Sequence, residues 1–148
     1  MDYDSKDYPH SGLTEQIIRA AFYVANGYKR KGLKNLSFDL HNLFRDDLAA
    51  LLIERNIHTV TEEFFPRPLR EGLINRKKVR HFADLMVSDQ VLAEIKVGNK
   101  DYVDDKKSLL AFEGQALNTL EYSGLKLMLL FRLSNDGNFK VTVSRYIL

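Results

Sequence analysis

Cysteine is absent from the 148 residues, which excludes a disulfide framework and any thiolate metal site and fits a reducing interior. The four histidines, His10, His41, His58 and His81, show no zinc-ligand spacing. No apolar stretch reaches about 18 residues and no basic start leads into an early apolar run, so a cytoplasmic protein without membrane span or secretory signal is expected. Charge of one sign is lacking too. Lys and Arg total 22 against 20 Asp and Glu, a formal net charge of +2, too small by itself to argue for a nucleic-acid partner. No internal repeat or low-complexity tract interrupts the chain. What remains is a composition of 45% hydrophobic and 28% charged residues, ordinary for one folded domain with a real core.

Residues 1–12 are polar and carry Pro9 and Gly12, the composition of a loose tail ahead of a single domain over 13–148. A helix is expected over 13–27, capped by Thr14 and ended by Gly27, with Ile17, Ile18, Ala21, Val24 and Ala25 on one stripe. A basic connector over 28–34 leads to a second helix over 39–55, where Leu40, Leu43, Phe44, Leu48, Leu51 and Leu52 face inward. Strands follow at 58–65, 78–87 and 91–97. The charged stretch 98–107 around Tyr102 reads as a mobile loop. A helix over 108–122 stops at Ser123 and Gly124. The nearly all-apolar 125–131 then reads as an interior strand reached by a helical crossover, and 139–147 as a last strand. The order is ααβββαββ, an α/β fold with a central mixed sheet flanked by helices.

Chemistry concentrates in the hairpin. Asp84 lies in the first strand, Glu94 and Lys96 in the second, with a turn near Ser88, Asp89 and Gln90. Pairing Val87 with Val91 sets Asp84 opposite Glu94, with Cβ atoms roughly 4.5 to 5.5 Å apart. Lys96 shares the side of Glu94, since side chains repeat every second residue along a strand. A Glu-x-Lys on a solvated strand is an ordinary charge cluster. Here Ala83, Leu85 and Val87 on one side, and Phe82 and Met86 on the side of Asp84, make both faces apolar. Opposed carboxylates in so covered a sheet are costly without a partner, and a divalent cation is the obvious one. Two acids to hold a hard cation beside an ammonium are what phosphodiester hydrolysis requires. On the last helix Gln115 groups with Asn118 and Tyr122, away from Leu109, Leu110, Ala116, Leu117 and Leu120, while Glu113 falls among the apolar positions as a first-turn acid or a buried group.

With Asp84, Glu94-Ile95-Lys96 and the Gln115 helix in that order, the chain resembles the PD-(D/E)XK nuclease superfamily, and more narrowly its small GxxExxY proteins. Leu13-Thr14-Glu15-Gln16-Ile17-Ile18 is similar to the family's opening helix, Ala83-Asp84-Leu85-Met86-Val87 to its aspartate strand and Leu92-Ala93-Glu94-Ile95-Lys96 to its ExK strand. Phe112-Glu113-Gly114-Gln115-Ala116-Leu117-Asn118-Thr119-Leu120 resembles its Glu-Ala-Gln helix, and Gly124-Leu125-Lys126-Leu127-Met128-Leu129-Leu130 the strand after it. The resemblance implies a restriction-endonuclease-like sheet and a Mg²⁺- or Mn²⁺-dependent nuclease. Asp84, Glu94 and the Ile95 carbonyl would bind metal, Lys96 would position the attacking water, and Gln115 would place substrate or water. It departs at the GxxExxY motif, where Phe38, His41 and Phe44 stand for Gly, Glu and Tyr. Either His41 takes over a ligand or base role, or Glu15 or Asp39 supplies the acid, or turnover is weakened.

The partner implied is nucleic acid, DNA ahead of RNA, with no membrane and with a homodimer compatible. A basic run of Arg67, Arg70, Arg76, Lys77, Lys78 and Arg80, opposed by Glu71, leads into the aspartate strand. Its last four members are the expected phosphate contacts. Two rivals share the scaffold: a catalytically inactive nucleic-acid-binding protein, and an assembly subunit.

Overall fold

The computed structural model describes residues 10–33, 39–65, 81–136 and 138–148. Helix α1 spans Ser11–Arg30 and α2 spans Leu40–Glu54. Strands β1, Thr59–Phe65, β2, His81–Val87, and β3, Val91–Gly98, follow. A short α3, Lys100–Val103, precedes α4, Lys106–Ser123. Strands β4, Leu127–Ser134, and β5, Val141–Ile147, end the order. Five strands form one sheet in sequence order. Only the β3–β4 pairing is parallel among them, from Val91 opposite Leu127 to Gly98 opposite Ser134, and α4 supplies the crossover that a parallel pair needs.

The sheet is covered on both faces, and the sequence shows why. In β3, Val91, Ala93 and Ile95 join Leu127, Leu129 and Phe131 of β4 in a cluster with α1 and α2, built on Ile17, Ala21, Phe44, Leu48 and Leu52. Leu92 and Met128, one position out of step, meet Ala116 and Leu120 of α4 on the other face. Strands buried on both faces read as nearly continuous apolar runs, and β4, buried from end to end, is apolar except at Arg132 and Ser134.

Several boundaries differ from expectation: β4 runs over Leu127–Ser134 against the expected 125–131, and β5 begins at Val141 against the expected 139. Helix α1 starts at Ser11, so the Thr14 amide donates to the His10 carbonyl at 2.8 Å and Thr14 is a buried first-turn residue instead of the cap. It also passes through Gly27. Tyr28 explains the continuation: it is buried, donates to Asp47 Oδ2 of α2 at 2.5 Å and meets Phe139 edge-on with ring centres 5.7 Å apart. Tertiary anchoring overrides one glycine's helix penalty of about 1 kcal/mol. Within the stretch 98–107, expected as a mobile loop, α3 forms, and α4 begins at Lys106 with Asp105 Oδ2 accepting from the Ser108 amide at 3.1 Å. Helix α4 does stop where expected, at Gly124 with φ of 76°, whose amide bonds the Leu120 carbonyl at 3.0 Å.

Candidate active site

The β2–β3 ladder is short. Val87 pairs with Val91, Met86 with Leu92 and Leu85 with Ala93; the turn between is made by Ser88 and Asp89, both at positive φ, as tight hairpins require. At the next position the carboxylates take over from the backbone. Glu94 Oε1 accepts from the Asp84 amide at 2.9 Å, and Asp84 Oδ2 accepts from the Ile95 amide at 2.7 Å. The two strands are stitched here by acid side chains bonded to main-chain N–H groups.

Strand β1 explains why the ladder changes at this point. Thr61 pairs with Leu85 and Glu63 with Ala83, but the intervening pair, Glu62 and Asp84, is skipped, and Glu62 has φ of 56°. A left-handed non-glycine residue costs on the order of 1–3 kcal/mol. It coincides with an inversion of facing across Asp84: Leu85 and Val87 join the α1–α2 cluster, whereas Ala83 joins Met86 on the α4 face. Asp84 therefore does not share the face of Met86, as strict alternation predicts. Its Oδ1 meets His41 Nε2 of α2 at 3.1 Å. One turn further along α2, Arg45 pairs with Glu62 at 2.6 Å, tying the strained residue to the same helix.

Glu94 and Lys96 keep the α4 face. The Lys96 ammonium lies 3.8 Å from Glu94 Oε2 and 5.3 Å from the centre of the Phe112 ring. Glu94, Lys96, Gln115, Phe112, Ala116, Thr119 and Leu130 line a notch of about 10 Å³, room for about one water. The site thus straddles the sheet at the gap between β2 and β3, with His41 on one side and Lys96 and Gln115 on the other.

Charge in the site is unevenly shared. Burial and the Asp84 charge push Glu94 up to about 8, with Lys96 opposing them. Burial acts on Asp84 in the same direction, but its bonds to His41, Glu94 and the Ile95 amide outweigh it and hold Asp84 below its ordinary value. The Asp84 bond raises His41 against the effect of burial. At neutral pH the arrangement is an ionised Asp84, 2% exposed, and a proton on Glu94, with His41 shifted towards its charged form. A proton lodged between two buried carboxylates marks a place where positive charge is wanted, and a divalent cation can take it.

The other expected residues divide. Glu15 pairs with Arg19, one turn on along α1. Asp39 is the residue before α2. Glu113 lies two turns into α4 and is exposed, so it is neither a first-turn acid nor buried. Leu110, placed on the apolar side of that helix, is 69% exposed; α4 instead buries Phe112, Ala116, Thr119 and Leu120. Phe38 and the basic run Arg67, Arg70, Arg76, Lys77, Lys78 and Arg80 lie outside the described residues. Arg45, Phe112 and Thr119 are additions. Arg45 follows His41 by four, and Phe112 and Thr119 flank Gln115 at helical spacing, a signal readable once one member is known.

Among the described residues no three His, Cys, Asp or Glu side chains converge into a ready cage. Two carboxylates suit Mg²⁺, which keeps several waters and is usually held by one or two acids plus substrate phosphate. No helix among these residues is long and apolar enough to cross a membrane.

No protein-family model and no curated protein matches the chain. Among solved structures it is similar to an alkaline exonuclease from Laribacter hongkongensis, at 15% identity and a TM-score of 0.44 over 67% of this chain. The match covers 51% of that enzyme, so the chain spans about half its length.

Proposed function

We propose that the chain is a divalent-metal-dependent nuclease of the PD-(D/E)XK kind, acting on DNA ahead of RNA. The observation that carries this reading is the buried Asp84–Glu94 pair, bonded to main-chain amides at 2.7 and 2.9 Å where the β2–β3 ladder gives way, with the Lys96 ammonium beside it. Each acid spends one oxygen on a backbone N–H; the second, Asp84 Oδ1 beside His41 and Glu94 Oε2 beside Lys96, is the one proposed to turn to a cation, which would share Asp84 Oδ1 with His41 or displace the imidazole from it. The Ile95 carbonyl is the proposed third protein donor. Mg²⁺ or Mn²⁺ bound there would polarise a phosphoryl oxygen and acidify a bound water.

The chain's own residues do the rest. Lys96 and Gln115 face the water-sized notch, where an ammonium and an amide orient the attacking water and offset charge that develops on the phosphate. His41 holds Asp84 through its Oδ1 and fixes that carboxylate's rotamer; it stands where the GxxExxY proteins carry an acid, so positioning replaces direct charge from this helix. The Ile95 amide fixes the second Asp84 oxygen.

A cleavage screen over structured and unstructured DNA and RNA, with Mg²⁺ and with Mn²⁺, tests the reading. Hydrolysis that falls by roughly two orders of magnitude or more in Lys96→Ala supports it; His41→Ala lowers the rate less, as befits a positioning residue. Nucleic-acid binding without any hydrolysis under either metal favours the inactive binding protein. Neither binding nor hydrolysis favours the assembly subunit.

A further inference from the structure

Tyr102 stands out beside Phe112, which lines the site. It is 46% exposed, yet it is fastened from every side. Its amide bonds both the Asn99 carbonyl, at 3.1 Å, and Asn99 Oδ1, at 2.9 Å. Its ring lies so close to Gly98 that a Cβ there would meet Tyr102 Cδ1 at 2.5 Å. The next residue, Val103, has its carbonyl held at 3.1 Å by Arg132 Nη1, which also pairs with Asp104 at 3.1 Å. Arg132, 8% exposed, thus reaches from β4 to clamp the end of α3. The ring itself packs edge-on against Phe112, with centres 5.8 Å apart and planes at 73°, and Phe112 carries the Lys96 ammonium at 5.3 Å.

An exposed aromatic on a four-residue helix would ordinarily be free to swing. A buried arginine, an asparagine cap and a glycine that admits the ring remove that freedom, so the ordering cost of stacking something on it is already met. Tyr102 meets Phe112 edge-on and still keeps nearly half of its surface open. Tyr102 and Lys96 share Phe112 as a neighbour, so the ring adjoins that ammonium through one side chain.

Resting on the nuclease reading above, we infer that Tyr102 is a stacking platform for the nucleobase next to the scissile phosphate, which makes an unpaired strand the form of nucleic acid this site takes. Any base offers a π-face, so such stacking tolerates sequence. In an intact duplex both faces of each base are covered by its neighbours, and the platform has nothing to engage. Tyr102 on this account sets substrate form and does not enter the chemistry.

The chain contains no tryptophan, so Tyr102→Trp creates a lone reporter at the platform. In a Lys96→Ala background with Mg²⁺, to block turnover, a labelled single strand, its duplex and the same strand with abasic sites are followed by anisotropy and by Trp emission. The expected result is saturable quenching by the single strand, lost with the abasic one. Tyr102→Ala then weakens single-strand binding about ten-fold, leaves duplex affinity unchanged, and is rescued by Tyr102→Phe. In the active chain the same Ala variant raises KM on the single strand with little change in kcat. Binding by anisotropy with unchanged Trp emission, equal affinity for the abasic strand and no loss in Tyr102→Ala overturns the platform and leaves the nuclease reading standing. If no nucleic acid of any form raises the anisotropy, the nuclease reading falls and the platform with it.

Discussion

Glu94 is the residue on which the electrostatics of the site turn. Its carboxyl is raised by burial and by the Asp84 charge, so between about 4.5, its ordinary value, and about 8 the folded chain holds a proton that the unfolded chain has released. Stability therefore falls as pH rises through that window. His41, raised by Asp84, adds a contribution of the same sign that is fully present below its ordinary value of 6.5 and lost as pH passes its folded one. Glu94→Gln separates the two: the amide presents an N–H to Asp84 at every pH, so the Glu94 part of the decline disappears. Thermal melts from pH 5 to 9 without divalent cation should show the variant gaining on wild type towards the alkaline end, by on the order of a few degrees. A constant gap across that range would contradict the shared proton. Of the two acids, Glu94 is the one whose neutralisation relieves repulsion at least cost, because Asp84 keeps its charge for His41 and the Ile95 amide.

At the scale of elements, what the sequence revealed and what it hid have physical causes. The alternation of aliphatics on either side of Ser88 and Asp89 fixes the Val87–Val91 register that the structure has, because a one-residue slip would turn every apolar side chain to the wrong face. The crossover by α4 was equally legible from the nearly all-apolar stretch 125–131. The inversion at Asp84 was not, since it depends on a left-handed residue, Glu62, in a neighbouring strand, and nothing in the local pattern of β2 announces it. Nor was the contact between His41 and Asp84, 43 positions apart in the chain, beyond the helix position that resemblance assigned to His41. Gly27 misled for a related reason: it is a local stop signal overruled by Tyr28 docking on Asp47 and Phe139. A pair of substitutions tests this difference between glycines. Gly27→Ala, within a helix and with only the end of the Arg30 side chain at 4.0 Å, should stabilise the fold by about 0.5–1 kcal/mol. Gly124→Ala, at φ of 76°, should cost about 1 kcal/mol. Denaturant melts that order the two the other way would mean α1 does end at Gly27.

Across the whole molecule the small net charge of +2 means that the proposed nucleic-acid attraction would rest on local concentrations of charge. Arg76, Lys77, Lys78 and Arg80 adjoin the strand that carries Asp84, and phosphate contacts there would release counterions. Changing Arg76, Lys77 and Lys78 together to alanine should weaken binding to all sequences alike and flatten the slope of log affinity against log salt by about two units on a single strand. An unchanged slope assigns the contacts to another surface. Asp84 and Glu94 are proposed to form a cation site built across the break between two strands. Calorimetric titration of Mn²⁺ into the wild type, Asp84→Asn and Glu94→Gln at neutral pH tests that most directly. The account predicts saturable binding by the wild type, a rise in its melting temperature with added Mn²⁺, and the loss of both in either variant, with apo Glu94→Gln no less stable than the wild type. No binding heat in the wild type, together with an apo Glu94→Gln that melts well below it, would contradict the account and leave the pair a structural clasp.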